Sequence, residues 1–344
     1  MHIKMDQNLP ELVQYLLEQN PGAQLFQTHI SFVVVAKEKT FKVKKPMNFG
    51  FLNFETADLR KQFCQEELRL NSKMAEALYN KVWAVKNDGG IQLHDGLDDE
   101  ANFDYVLEMN SFEQDELFSN LFKENKLTKE HFSELAETLA DFHANKADCN
   151  EGILSYGQFK NVEQIAKDNL ELSSLFIGRS VTQEQYDTLE KESLEGLKEL
   201  ESVIAQRVAD KRVKECHGDL HLGNICIYQG NVVPFDCIEF NKDFRFIDTI
   251  YDVAFLYMDL VYNGAQDLAT HFLNKYLEFS NDTDGLKLFP MYCSMRAIIR
   301  AKVTSLLLND DSVPQDVKDN AQKTAQEYYK LGLEFLKKKE VAFT

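Results

Sequence analysis

With 344 residues, 44% of them apolar and 25 of them Phe, the chain has material for one large domain or two moderate lobes around a packed core. Fifty-six acidic residues against 38 basic ones give a formal charge of −18. That balance argues against a general nucleic-acid binder and against adsorption to an anionic membrane, since both need a basic face. It serves solubility and is compatible with a cationic acceptor molecule. No window approaches 18 uninterrupted apolar residues. The opening MHIKMDQNLPELV has no cationic segment followed by an apolar one. None of the six cysteines forms a Cys-x-x-Cys pair, so reduced thiols in a cytoplasmic protein are expected.

In chain order, residues 24–45 read as a β-meander: runs of Phe and Val are broken by the polar AKEKT, with a hairpin near Lys37–Thr40. Within TFKVKK, Phe41 and Val43 share one face and Lys42 and Lys44 the other. Thr56 is a suitable N-cap for a helix reaching about Ala77, which contains CQEELRLN. FDYVLEMN follows as another strand. From Ser111 onward helical spacing dominates. Thr128 can cap a helix whose stripe is Phe132, Leu135, Leu139 and Phe142. Residues 184–208 are also helical in pattern, as is the tail from Pro314 to about Lys339. Between them lies a short β-like island, from Val213 to Phe240. The expectation is an α+β chain, a small β-rich lobe over 1–109 and a larger helical lobe over 110–344.

The island holds the chemistry. HGDLHLGN occupies 217–224, and VPFDCIEF follows at 233–240. Moving a phosphoryl group from ATP to a hydroxyl needs a carboxylate for the hydroxyl proton, hard oxygens for magnesium, and a cation for the phosphates. Asp219 is the candidate base. Asn224 offers an amide oxygen and Asp236 a carboxylate to Mg2+. The hairpin turning at Gln229-Gly230-Asn231 would return Asp236 toward Asn224. The interval from Asp219 to Asn224 equals that of the kinase loop H-R-D-x-x-x-x-N, with Gly218 in place of Arg and His217 ahead of it. His217 and His221, with Cys216 and Cys226 nearby, also invite a zinc reading. Two His four apart bind zinc from one helix face, and Gly218 and Gly223 disfavour a helix. His217 is expected to hold the loop's shape, and His221 to be an ordinary loop residue.

HGDLHLGN with FDCIEF resembles the aminoglycoside and choline kinase-like phosphotransferases, which share the protein-kinase-like fold. THISFVVVAKEKTFKVKKPMNFGFLNFET, FCQEELRLN and FRFIDTIYDVAFLYMDL resemble a bacterial branch of that family, over most of residues 24–260. That branch is often fused to a P-loop ATPase domain. This sequence has no G-x-x-x-x-G-K-[ST], so the resemblance implies the stand-alone kinase module. It further implies that Lys42 holds the ATP phosphates and Glu66 pairs with it, with Lys44 and Glu67 as the alternatives. Leu107 to Asn110, Leu107 and Met109 foremost, would be the hinge where backbone reads adenine. Asp252, and beside it Asp248, would brace the catalytic loop. Taken alone, Lys42 and Lys44 would read as the solvated face of an edge strand. Arg245 either contacts a phosphate or pairs with Asp248.

The function so implied is ATP- and Mg-dependent transfer of the γ-phosphoryl group to a hydroxyl of a small molecule: an amino sugar, an amino alcohol or a sugar. ATP would lie between the lobes. Two other readings are a protein Ser/Thr kinase and a nucleotide-binding regulator with little turnover. Only about a dozen residues separate Asp236 from the helical IDTIYDVAFLYM, which leaves little room for an activation segment. The regulator reading would suit a chain lacking Asp219, Asn224 or Asp236, and all three are present.

Overall fold

The computed structural model describes residues 9–50, 52–310 and 313–338. The first eight residues, Phe51 of the FGFLNF run, and Lys339 at the expected end of the last helix lie outside the described residues. The chain forms two compact units, Met1–Lys126 with Gly223–Lys242, and Leu127–Leu222 with Asp243–Thr344. A single boundary at Met109 therefore differs from what is found. The first unit runs on to Lys126 and takes up the later hairpin.

The first unit is built on an antiparallel sheet. Helix α1 (Glu11–Gln19) leads into β1 (Gln24–Gln27), β2 (Ser31–Val35) and β3 (Lys39–Lys44). Helix α2 (Ala57–Ala75) follows, then β4 (Tyr79–Asn87), β5 (Ile91–His94) and β6 (Asp104–Asn110). The strand order is β1-β2-β3-β6-β4-β5. The meander and β6 match the sequence pattern, whereas α1, β4 and β5 were not expected from it. In β4 the register shifts between Tyr79 and Lys81, which breaks the period-two alternation that marks a strand.

Both faces of the sheet are covered, which explains its apolar content. Phe41 and Val43 point to one side and join Leu12, Val13 and Leu16 of α1. Leu107 and Met109 lie on the other side with Cys64 of α2. Lys42 and Lys44 share this second face, against α2. Because β3 lies between β2 and β6, the two lysines are on an interior strand and not on a solvated edge. The hairpin Ile225–Tyr228 and Asn231–Pro234 also belongs to this unit.

The second unit is mostly helical. Its longer helices are α3 (Lys129–Asp141), α4 (Phe159–Ser174), α5 (Gln183–Glu199), α6 (Glu201–Ala209), α7 (Thr249–Tyr262), α8 (Gln266–Ser280), α9 (Phe289–Leu306) and α10 (Gln315–Leu336). Thr128 and His131 form a capping box at α3, whose stripe Phe132, Leu135 and Leu139 is buried. The expected helix over 184–208 is two helices, divided at Leu200. In α7 every residue from Thr249 to Leu260 is buried, so its polar members need partners inside the protein. The β-like island is divided too: Val213–Glu215 pairs with Phe246–Asp248 in this unit. The chain is thus α+β, sheet-rich in the first unit and helical in the remainder. No helix among the described residues is long and apolar enough to cross a membrane.

Candidate active site

On α2 the buried residues are Arg60, Cys64, Glu67, Leu70, Asn71 and Ala75, the spacing of one helical face. Glu67 is therefore aimed at the sheet. The Lys42 Nζ lies 2.7 Å from Glu67 Oε1 and 2.6 Å from Asp236 Oδ1. The Lys44 Nζ lies 2.6 Å from Glu67 Oε2 and also pairs with Glu239. Glu67 is fully buried and Lys44 is 1% exposed, so these charges survive only by mutual pairing. The expected partner Glu66 is a different case. It sits one residue round the helix, outside the buried stripe, and takes a two-pronged bond from Arg69 at 2.8 Å. The ion pair to Lys42 is made by Glu67 and not by Glu66.

The electrostatics follow from that packing. Burial opposes the Lys42 charge, but Asp236, Glu67 and Glu239 outweigh it and hold its pKa well above the ordinary lysine value. Burial likewise opposes ionisation of Glu67, and Lys42 and Lys44 overcome it, holding the carboxyl below its usual range. Glu239 is pushed up by burial; Lys44 draws it down, and Glu67 adds to the rise. Two lysines thus face three carboxyl groups, one acid more than the bases that pair with them. A divalent cation would be attracted there.

Asp236 is the accessible member, with its side chain 40% exposed against 13% or less for the other four. Asp236 has φ +65°, a left-handed conformation that Asp tolerates better than most residues. Three contacts fix this turn. The Asp236 N–H donates to the Tyr79 hydroxyl at 3.2 Å, the Cys237 N–H donates to Asn71 Oδ1 at 3.0 Å, and the Phe235 N–H donates to Asn224 O at 2.9 Å. The last bond sets Asn224 across the hairpin base from the residue preceding Asp236. An amide and a carboxylate at neighbouring positions are hard oxygen donors suited to Mg2+ or Ca2+.

Leu107 and Met109 differ from the hinge expectation. Strand β6 runs between β3 and β4, so Leu107 pairs with Lys42 and Val82, and Met109 with Thr40 and Tyr79. Their peptide groups lie within the sheet ladder. The Asn110 and Ser111 N–H groups next in line donate to Leu78 O and Glu38 O. The backbone here is engaged in the sheet and not free for a base.

In the second unit, Asp252 holds the loop. Its Oδ2 accepts from the His217 N–H at 3.1 Å and its Oδ1 from the Gly218 N–H at 2.8 Å. His143 Nε2 lies 3.2 Å from the same carboxylate, and its Nδ1 is 2.9 Å from the Tyr276 hydroxyl. Burial alone would raise Asp252; His143, His217 and Arg296 reverse that and hold it below its usual range. Gly218 has φ +86°, and a Cβ there would stand 2.7 Å from Phe244 O. Only glycine fits without a shift. The Asp219 N–H then reaches His217 Nδ1 at 3.3 Å.

Asp219 Oδ2 lies 3.4 Å from His221 Nε2. His221 is therefore not an incidental loop residue: it flanks the candidate base, and its ring packs on Phe255 at 5.6 Å. Burial raises the Asp219 pKa, yet His221, Arg300 and His217 hold it well below the ordinary aspartate value. Asp248 does not brace the loop. It caps α7 through the Ile250 N–H at 2.9 Å and pairs with Arg207. Arg245 pairs with Glu215 at 3.2 Å, not with Asp248. Among the described residues, His143, Cys216 and Asp252 alone form a three-member group of metal-ligand types. Both His143 nitrogens have hydrogen-bond neighbours and burial raises the Cys216 thiol pKa well above normal, so this group reads as structural.

A sequence profile of the phosphotransferase enzyme family matches residues 56–289, and the chain belongs to that family. An uncharacterised protein of Mycobacterium tuberculosis is 29% identical over 283 residues, which make up 82% of this chain and 55% of the relative. The chain spans about half the length of the curated relatives it matches. Among solved structures, a putative aminoglycoside phosphotransferase from Ralstonia eutropha aligns at TM-score 0.54 and 12% identity, covering 95% of this chain and 98% of that one. An amicoumacin kinase in complex with AMP-PNP, Ca2+ and Ami aligns at TM-score 0.52 and 13% identity, covering 92% and 93%. At such identities the likeness is one of fold. The chain is thus a member of the phosphotransferase enzyme family that shares its fold with these solved kinases.

Proposed function

We propose that this chain transfers the γ-phosphoryl group of ATP to a hydroxyl of a small molecule. One observation carries the reading: the Lys42 ammonium bridges buried Glu67 and half-exposed Asp236, at 2.7 and 2.6 Å. A cation so anchored has lost its freedom in advance, which is what positioning a polyphosphate requires. Lys42 would hold the ATP phosphates and Glu67 would hold Lys42. Asn224 and Asp236 would hold Mg2+, which when bound neutralises phosphate charge. The AMP-PNP and Ca2+ of the amicoumacin kinase complex favour a nucleotide and a divalent cation here as well.

Asp219 would accept the hydrogen bond of the incoming hydroxyl. As the new oxygen–phosphorus bond forms and the bond to ADP breaks, the hydroxyl proton passes to Asp219. A carboxylate held well below its usual pKa is a weak base, so it orients the alcohol first and takes the proton late. That suits a loose transition state in which the nucleophile is barely bonded. Asp252, through the His217 and Gly218 N–H groups, fixes the loop that carries Asp219.

The test is incubation with γ-labelled ATP and a metabolite pool, read by mass spectrometry, for wild type and Asp219→Asn. We expect a phosphorylated small molecule from wild type, Mg2+ dependence, and a loss of at least a hundredfold in Asp219→Asn. Labelled protein in place of a labelled metabolite would instead select protein kinase activity. Mg-ATP binding with no transfer at all would overturn the enzyme reading in favour of a regulator.

A further inference from the structure

The ion pairs around Lys42 run in a chain. Asp236 meets Lys42, Lys42 meets Glu67 Oε1, Glu67 Oε2 meets Lys44, and Lys44 meets Glu239. The chain begins and ends on one segment, since Asp236 and Glu239 are three residues apart. Lys42 and Lys44 are alternate residues of β3, which sets them about 7 Å apart along the strand. Strand β3 is thereby fastened to the turn beyond the hairpin at two points, with Glu67 of α2 between them. One such point acts as a pivot, whereas two fix an orientation.

The two points differ in what they face. Lys42 and Asp236 would take the phosphates and the divalent cation, so bound ligands would draw this pair apart. Lys44 and Glu239 are both buried and too enclosed to meet a ligand. An aromatic wall covers them: the Lys44 Nζ lies 4.8 Å from the Phe54 ring centroid, and Phe54 packs on Phe63 of α2 at 5.2 Å and on Phe240 at 6.4 Å. Away from water a charge-assisted bond is stronger. The Asp236 and Cys237 N–H groups fasten the same turn to Tyr79 of β4 and Asn71 of α2. Lys44 and Glu239 fasten it to the strand that carries Lys42.

We propose that Lys44 and Glu239 are positioning residues, which keep β3 and the Asp236 turn in register once ligands have separated Lys42 from Asp236. This deepens the phosphotransferase reading and rests on it. It gives a role to two buried charges that the transfer step does not itself use. The phosphate-holding cation and the metal-holding carboxylate then keep their spacing during the reaction. An error of about 1 Å in such a spacing costs about a hundredfold in rate.

The test is binding of Mn2+ with AMP-PNP, read from the electron paramagnetic resonance of free Mn2+, alongside transfer kinetics. Removing one partner of a buried pair endangers folding, whereas replacing both by apolar groups of like volume is often neutral. The main variant is therefore Lys44→Met with Glu239→Met, studied where circular dichroism shows it folded. We expect it to bind Mn2+ and AMP-PNP about tenfold more weakly or worse, to raise the KM for Mg-ATP by a similar factor, and to leave the acceptor KM unchanged. Glu239→Gln keeps an oxygen that accepts from Lys44 and should bind more tightly than the double variant. A merely structural role would lower Tm and leave the folded fraction with wild-type affinity; that result would overturn the proposal. A second measurement uses wild type alone. Amide exchange from Cys237 to Phe240 should stay slow with Mn2+ and AMP-PNP bound, and loosening of that segment on binding would also overturn it. If either happens while Asp219→Asn still abolishes transfer, the phosphotransferase reading stands. A wild type that neither binds Mn2+ with AMP-PNP nor transfers phosphate overturns both readings.

Discussion

Glu66 and Glu67 are chemically alike and adjacent, yet a hundred degrees of helix rotation gives them different jobs. Glu67 is buried and bridges Lys42 and Lys44; Glu66 meets Arg69 at the surface. Removing one partner of a buried ion cluster leaves uncompensated charge and costs about 3–5 kcal/mol. A surface pair is worth about 0–1 kcal/mol. We therefore expect Glu67→Gln to lower stability by several kcal/mol in urea titration and to raise the KM for ATP, with Glu66→Gln near wild type in both. Equal effects would refute the assignment. The pattern FCQEELRLN left both residues open, because the stripe of Cys64, Leu70 and Asn71 that holds Glu67 includes a buried polar residue that no apolar periodicity marks. The return of Asp236 toward Asn224 across a hairpin was readable from spacing within a short segment. Glu239 on Lys44, His143 on Asp252, and Arg300 in the field of Asp219 were not. Each joins residues more than 75 positions apart, and no local periodicity encodes such a meeting.

At the scale of elements, the loop from His217 to His221, which leads into a short 3-10 turn at Leu222, has no regular structure of its own and borrows its shape from helices. Helix α7 supplies Asp252 and Asp259, and α9 supplies Arg296. Asp252→Ala would orphan two buried N–H groups and the His143 ring nitrogen. At about 1–3 kcal/mol for each orphaned group, we expect a loss of roughly 3 kcal/mol or more, measured by denaturant unfolding. Asp248→Ala should also destabilise, through Arg207 and the α7 cap, without disturbing the loop. The two variants are separable by transfer kinetics scaled to the folded fraction: Asp252→Ala should lose activity per folded molecule and Asp248→Ala should not. Gly218→Ala combines a left-handed φ with a 2.7 Å approach to Phe244 O. It should cost more than the ~1 kcal/mol of an ordinary left-handed glycine. Elements with clean periodicity, such as α2, α3 and the meander, were legible in the sequence. Those whose pattern was broken or shared were not: β4 has its bulge, and Val213–Glu215 finds its partner some thirty residues on.

Across the whole molecule, four acids of the core and the candidate site are held below their usual range against the pull of burial, and they occur in both units. Glu67 lies in the first, and Asp219, Asp252 and Asp282 in the second. In each, burial pushes the pKa up and cationic or hydrogen-bonding neighbours win; for Asp282 the winning neighbour is Arg207. A group whose folded pKa is depressed stabilises the fold above its unfolded value, about 3.9–4.3 for these acids. That contribution drains as pH falls through the folded value. Glu239 and Asp104 have the opposite sign. Burial raises both, so the stability they contribute is present below their unfolded values and is lost as pH rises through the raised ones. On acidification they are relieved first, before the other four begin to give way. Melting temperature measured by circular dichroism should therefore be level or rise slightly from pH 7 to about 5, then fall with increasing slope below about 4. Glu67→Gln should start lower at pH 7 and show a shallower fall below pH 4, because one of the four depressed acids no longer titrates. Glu239→Gln should flatten the region from pH 7 to 5 and leave the acid limb unchanged. A wild-type melting temperature that stays constant down to pH 2 would mean that these carboxylates are not held down by their partners, and the charge network around Lys42 would lose its physical basis.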